Sequence, residues 1–437
     1  MRNTSFILFI LGLFGEIHVR FIGSISVSEL YMFIVAPVIF IVDLSKLRRN
    51  GFIPFLICVF MAIAGCVISS YVNNTRFLDA IRGFAGVYSI FAIPVVLHHY
   101  LSVNLSGLKW LILGLAISNL LTIFGFQASV EMAAAELAGD VKDTELYYIR
   151  HFGGAFSFWY RGWYMSCPTT IAAILMTLPI AQMIIFTATG RSAFMIFLVS
   201  LFMLLYVHRN VYRMGRLKKK IVWLGCIGIF VIFLCTSIYK YAGSSGLLNE
   251  GATRKYEAQS RRGSGPIALI MSGRADFFAG LMACCDRPFV GFGPWAVDDG
   301  HYWRRYLQRY GDAEDFDKFQ GEQLYRQHMG EFRTLIPAHS HIVGFWLWYG
   351  ILALPLWLYV LKKIFEYLHR YMDAIPQWFA VLACGAPGVV WSIFFSPFGG
   401  RVQNCLYITC LLIAIAVGKG RILLPNDMQR EALRIAR

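Results

Sequence analysis

A chain of 437 residues that is 57% hydrophobic and only 15% charged, with a mean hydropathy of +0.57, carries more apolar side chain than one soluble core can hide. Its net charge of +15 gathers in short loops and is not accompanied by an arginine–aromatic RNA signature, which argues against nucleic acid as a partner. The composition defines an all-α polytopic membrane protein.

Apolar runs of the length that crosses a bilayer, about 17–25 residues, fall at approximately 5–24, 28–44, 52–71, 79–98, 108–127, 166–186, 192–207, 220–240, 342–362, 377–396 and 403–418. The first run contains FILFILGLF with no small-residue cleavage site after it, so an uncleaved first helix is expected. Two stretches between the runs read as non-membrane. Residues 128–165 are mildly acidic (ELAGDVKDTEL) and then aromatic (AFSFWYRGWYM), and residues 241–338 form the one segment of domain size. The chain therefore divides into N-terminal transmembrane helices (1–240), a large extracytoplasmic loop (241–338), and C-terminal helices with a basic tail (339–437). No internal repeat is evident.

Lysine and arginine mark cytoplasmic loops. The clusters SKLRRN, HRNVYRMGRLKKK and LKKIFEYLHR and the tail from Lys419 should share that side, leaving 128–165 and 241–338 outside. Counting from both termini leaves one crossing missing. A short, broken or re-entrant helix within about 150–170 is the expected place for it, since irregular backbone at membrane depth is tolerated where protein covers it. Roughly twelve spans with both termini inside follow. Ten cysteines show no metal-ligand spacing and read as packing residues, the neighbours Cys284 and Cys285 included.

Three features converge on the expected outer face. Arg191, in TATGRSAF at a span boundary, would lie outward against the positive-inside bias, which favours a role in holding an anion over simple snorkelling. Arg274, in MSGRADFFAGLMACCDRPFVGFGPW, opens an amphipathic stretch that ends in a turn. Alone it reads as a solvated surface residue, and Arg254, Arg261 and Arg262 compete with it. His339, in IPAHSHIVGFWLWYG, precedes a span and carries a proton that moves near neutral pH. Ser340 and His341 compete as the functional polar group, Ser340 also being a plausible N-cap.

The order Thr-Gly-Arg, then an outer-loop arginine followed by a Gly-x-Gly turn, then His-Ser and nine residues to a glycine, resembles the bacterial O-antigen ligase and polymerase superfamily. In the ligase branch the signature is histidine, then Asn, Ser or Gln, nine residues, glycine, and a further small residue. His339, Ser340 and Gly350 fit it, whereas Ala353 stands where the pattern favours Gly, Thr or Tyr. The chain also departs from the family in the compressed interval before Arg191. The likeness covers most of the chain in layout but about twenty residues in motif.

The resemblance implies a GT-C-like fold of about twelve helices and a metal-independent membrane glycosyltransferase of the bacterial inner membrane with its site facing the periplasm. The donor would be an undecaprenyl-diphosphate-linked glycan and the acceptor a glycan or lipid-linked glycan. Membrane lipids, chain-length regulators and flippases are the implied partners, and no cofactor is implied. Arg191 and Arg274 would hold the departing diphosphate, because a planar, permanently charged guanidinium binds phosphate bidentately. His339 would orient or deprotonate the acceptor hydroxyl, with Ser340 and His341 also against substrate. A metal is the rival to the arginines, but the first outer loop offers only Glu29, and Asp298, Asp299 and His301 are the remaining ligand set. Polymerisation of repeat units is preferred narrowly over ligation to a lipid A core. A lipid-linked glycan transporter and a sensor or scaffold are the readings outside catalysis.

Overall fold

The computed structural model describes residues 2–15, 17–20, 24–123, 141–167, 169–175, 199–200, 237, 240–246, 256, 275–298, 301–310, 335–337, 340–372, 374–396 and 401–424. Within them the chain is overwhelmingly helical. Five helices are long and apolar enough to cross a membrane: Val27–Arg49, Ile53–Val72, Phe77–Val103, Leu105–Thr122 and Arg401–Gly418. On α2 (Val27–Arg49) one stripe, Met32, Ala36, Ile39 and Leu47, is buried, while Ile34, Val38, Ile41 and Val42 on the opposite side are exposed and equally apolar. A helix apolar all round and half uncovered is one whose outer surface meets lipid.

The expected first span is corrected. Its helix, α1 (Arg2–Leu13), stops after 12 residues, and the chain turns into an antiparallel hairpin of β1 (His18–Arg20) and β2 (Ser24–Ser26) in the register His18↔Ser26. The apolar run hides a change of period: β-branched Ile17, Val19 and Ile25 alternate with polar residues, as a strand requires. Ser26 then begins α2 with a reciprocal cap. Its hydroxyl accepts from the Glu29 N–H at 3.1 Å, and the Ser26 N–H donates to Glu29 Oε2 at 2.9 Å. Glu29, almost fully buried, also receives Arg401 Nε at 2.8 Å and Nη2 at 3.2 Å. This bidentate pair ties the start of α2 to the last described helix.

Helices α3 (Ile53–Val72), α4 (Phe77–Val103) and α5 (Leu108–Ile123) follow within a few residues of expectation. The next element differs. Rather than a short or broken helix, α6 (Val141–Ser166) is one continuous helix of 26 residues. It runs antiparallel along α5. A Cβ on Gly154 would lie 2.9 Å from Asn119 Oδ1, and one on Gly162 would lie 3.9 Å from the Lys109 carbonyl. No proline interrupts it before Pro168, and its glycines let the two backbones approach closely. Helix α7 (Thr170–Leu175) is the last element described before the segment that holds Arg191.

The expected span at 342–362 is also corrected, into α10 (His341–Tyr349) and α11 (Leu354–Arg370), separated at Gly350. Nine residues of α-helix reach about 14 Å, too short to cross hydrocarbon. Helices α12 (Phe379–Phe395) and α13 (Arg401–Gly418) match the last two expected spans. In the 241–338 segment, α8 (Ala275–Asp286) and α9 (Tyr302–Tyr310) are described. Of the cysteines, Cys66, Cys284, Cys405 and Cys410 are buried as packing residues, but Cys285 is exposed.

The two ends of the bundle differ in charge. At one end Lys419 and Lys363 both contact Glu366, at 2.7 and 2.5 Å, and Arg421 covers Gly51 beside the α2–α3 turn with its Lys46, Arg48 and Arg49. The clusters at 45–50 and 361–370 and the described start of the tail at Lys419, expected to share a side, share an end, and the cluster at 208–220 lies outside the described residues. The opposite end carries the hairpin, the Glu29–Arg401 pair, the α3–α4 turn and the 287–295 segment.

Removing one partner of a buried pair leaves the other unpaired, which costs more than the pair contributes. Arg401→Gln is expected to destabilise the protein by about 3 kcal/mol, and Glu29→Gln by less, since the amide still caps α2. The double variant should recover part of the loss. Thermal unfolding in detergent, followed by size-exclusion chromatography, reads all three.

Candidate functional site

The segment Ser340–Ala353 and the turn Arg287–Trp295 meet at the end of the bundle opposite the basic loops. Ser340 is extended (φ −160°, ψ 137°) and begins α10, its hydroxyl accepting from the Val343 N–H at 3.2 Å. The same hydroxyl donates to the Ile393 carbonyl in the last turn of α12, at 2.8 Å. The cap legible in the sequence thus also fastens α10 to α12. His341, 1% exposed, turns inward with its ring 4.8 Å from that of Trp357. Phe345 and Tyr349, one and two turns further on, continue this stripe, and Tyr349 Oη donates to the Gly83 carbonyl of α4 at 3.0 Å.

Gly350 ends α10 at φ +72° and ψ −167°, a conformation that is essentially glycine's own. The break frees backbone groups that the turn takes up. Phe292 N–H donates to the Leu347 carbonyl at 2.7 Å, Ile351 N–H donates to the Phe289 carbonyl at 3.2 Å, and Trp346 Nε1 donates to the Pro288 carbonyl at 2.8 Å. Gly291, at φ +74°, fits because a Cβ there would lie 2.6 Å from Leu347 O and 2.8 Å from Gly350 N. On its other side the turn is held by the α3–α4 connection. Asn73 Nδ2 donates to Gly291 O at 3.2 Å, and Arg287 Nη1 donates to Asn73 Oδ1 at 2.8 Å. The Gly-x-Gly turn and the glycine of the histidine motif are one interlocked unit.

Helix α8 lies against α10. The Cys284 thiol donates to Val343 O at 3.6 Å, and Phe277 sits 6.1 Å, ring to ring, from Phe395 at the end of α12. The first turns of α8 and α10 therefore meet the same last turn of α12. Arg191, Arg274 and His339 lie outside the described residues, as do Arg254, Arg261, Arg262 and Asp299. Arg274 is the residue before α8 and His339 the residue before Ser340.

Two of the residues weighed as metal ligands, Asp298 and Glu29, have other partners. Asp298 caps α9, accepting from the N–H groups of Tyr302 at 2.8 Å and Trp303 at 3.3 Å. Glu29 is held by Arg401 and by its own cap. Arg305 donates to Asp286 at 2.8 Å and holds that carboxyl below its usual range, while burial pushes the Tyr302 phenol up to about 12. These contacts fasten α9 to α8.

Sequence reasoning passed over Arg161. It is 9% exposed, its guanidinium contacts the Tyr407 hydroxyl of α13, and it lies 5.1 Å from the Phe158 ring. The available signal was one cation inside the aromatic run WYRGWY. Arg401 was passed over too, because a carboxylate 372 positions away in sequence gives no local sign of its partner.

No family model, curated protein or solved structure matches this chain. The motifs and their geometry carry the functional reading by themselves.

Gly350→Ala places a side chain against the Phe289 carbonyl in a glycine-only conformation, which costs about 1–3 kcal/mol before any displacement of the turn. Gly388→Ala, in α12 with nothing within 4 Å of the added atom, should be neutral or slightly stabilising. Comparing their unfolding midpoints checks the lock.

Proposed function

We propose that this chain is a glycosyltransferase of the bacterial inner membrane that acts, at the periplasmic face, on undecaprenyl-diphosphate-linked oligosaccharide and polymerises O-antigen or exopolysaccharide repeat units. The observation that carries the reading is the interlock of the Gly-x-Gly turn with Gly350. Two motif pieces that define the resemblance, distant in sequence, form one structure whose flanking helices begin next to Arg274 and His339.

In this reading Arg191 and Arg274 hold the diphosphate as the glycosidic bond to it breaks, neutralising the charge that develops on the leaving group. His339 takes the proton of the attacking acceptor hydroxyl. Ser340 and His341 position the start of α10, the element that follows His339 in the chain: one fixes it to α12, the other anchors it on Trp357. A deprotonated acceptor, a C–O bond formed at the anomeric carbon and a released lipid diphosphate balance the reaction without a metal.

Helix α6 supports the topology this requires. Taken as the missing crossing, it would let the expected spans at 166–186 and 192–207 carry Arg191 to the end of the bundle that holds the lock. The described parts of the large loop, α8 and α9, lie on that side and the described basic clusters on the other, as the positive-inside bias demands.

Single substitution of Arg191, Arg274 or His339 by Ala should lower elongation of a lipid-linked repeat unit by the purified protein by about 10²–10³-fold, the usual effect of removing a group aimed at the transition state. Elution as a folded monodisperse species should be unchanged. Full activity in any one of the three sinks the assignment of that residue. Surface glycan from a deletion strain separates the reactions. A single capped repeat means polymerase, and long chains left on the polyprenyl carrier mean ligase. Translocation of lipid-linked glycan in liposomes without elongation or transfer would mean a transporter.

A further inference from the structure

A second site lies at the other end of the bundle, where α5 begins and α6 ends. A cavity of about 450 Å³ opens between them, within the size range of small-molecule sites. Trp110, Trp159 and Trp163 line it, 40%, 51% and 40% exposed, over a floor of Leu113 and Phe158. Among the described residues that line it, the one charged group is Lys109, whose ammonium stands 5.7 Å from the centre of the Trp110 ring. Among the described residues no carboxylate pairs with Lys109. The lock lies at the opposite end of the bundle, and the glycosyltransferase reading makes no use of this place.

Depth identifies the class of ligand. The cavity sits at the first turn of α5, one of the five helices apolar enough to span a bilayer, so it lies where hydrocarbon gives way to head groups. Tryptophan prefers that layer, because its ring is apolar and its N–H is not. Three half-exposed tryptophans around one slot offer walls to an acyl chain and N–H donors to an ester or phosphate at the rim. The charge is complementary to an anion. Lys109 stands at the mouth, and the same end of the bundle presents Lys46, Arg48, Arg49, Lys419 and Arg421. Cations at this level draw anionic lipid to the surface, each contributing about a five-fold preference.

We propose that the groove between Lys109–Leu113 of α5 and Phe158–Ser166 of α6 binds one anionic glycerophospholipid, its phosphate on Lys109 and its upper acyl chain among Trp110, Trp159 and Trp163. The lipid fills the seam between the two helices. Since α6 carries Arg161 to its contact with Tyr407 of α13, an occupied groove also steadies the side of the bundle from which α6 is packed.

The test uses the purified full chain in detergent micelles, titrated with dioleoyl phosphatidylglycerol or dioleoyl phosphatidylcholine, with bound lipids counted by native mass spectrometry. The expected result is one phosphatidylglycerol bound about five-fold more tightly than phosphatidylcholine. Lys109→Gln should bring the two lipids to near equality. Trp163→Phe should weaken binding of both while keeping the preference. Arg49→Gln, an exposed cation at the same end but outside the groove, should leave the preference intact. Equal binding of the two lipids by the native chain overturns the proposal, as does a preference that survives in Lys109→Gln. Equal losses in Lys109→Gln and Arg49→Gln also overturn it, because they would show a diffuse surface field rather than a site.

Discussion

A helix broken inside a membrane bundle frees backbone groups that hydrocarbon cannot solvate, and the fold depends on how that is met at Gly350. Each such group left unsatisfied costs several kcal/mol in an apolar medium, roughly a substantial fraction of a domain's whole stability. Here the turn at Phe289–Phe292 supplies one donor to the end of α10 and one acceptor to the residue after the break. Irregular backbone is admitted because other backbone covers it. This explains why two glycines with positive φ face one another: each removes the side chain that would keep the other strand of backbone away. The 287–295 segment is fixed to the helices from both sides, by α10 and by Asn73, which makes an otherwise long excursion of chain part of the rigid bundle.

Buried charge is handled by the same rule. Glu29 has a guanidinium and a cap, and Asp43, 1% exposed, is shared between Lys46 at 2.7 Å and His99 at 2.5 Å. Arg161 rests on a phenol hydroxyl and two aromatic faces. Each arrangement joins elements far apart in sequence: α2 to α13, α2 to α4, α6 to α13. In a bundle whose helices are apolar on every side, greasy surfaces give little register, because lipid is as good a neighbour as another helix. Polar pairs specify which helix meets which, and at what height.

Hydropathy made the strongest features legible. Helices α2, α3, α4, α5 and α13 fall close to where apolar length alone places them. It failed where length and composition part company. Helix α6 carries charge along its first half and Arg161 near its end, so averaging conceals a helix whose second half packs on α5. The α1 run looks continuous because strand residues such as Ile17, Val19 and Ile25 are as apolar as helix residues. At Gly350 the flanking tryptophans and leucines read as one span, and a single glycine gives no sign of its φ. In the candidate site the glycine pattern and the Ser340 cap were readable, being local. The partners that give them meaning, the Ile393 carbonyl and the Phe289–Phe292 turn, were not. Such contacts lie tens of residues away, and no periodicity encodes them.

The two ends of the molecule follow from one inequality of charge. Lysines and arginines collect at one end, where Lys363, Lys419 and Arg421 close the bundle and Lys109 stands beside the tryptophan groove. Among the described residues of the other end, Arg401 pairs with Glu29, Arg305 with Asp286, Arg287 with Asn73 and Arg82 with Asp79. A cation at that end whose partner is not supplied by its own chain would be available to an outside anion, and a lipid diphosphate is an anion that arrives along the membrane. In the proposed function an arginine at that end, beside a backbone lock that fixes the start of α10, would meet what a membrane-borne leaving group demands physically.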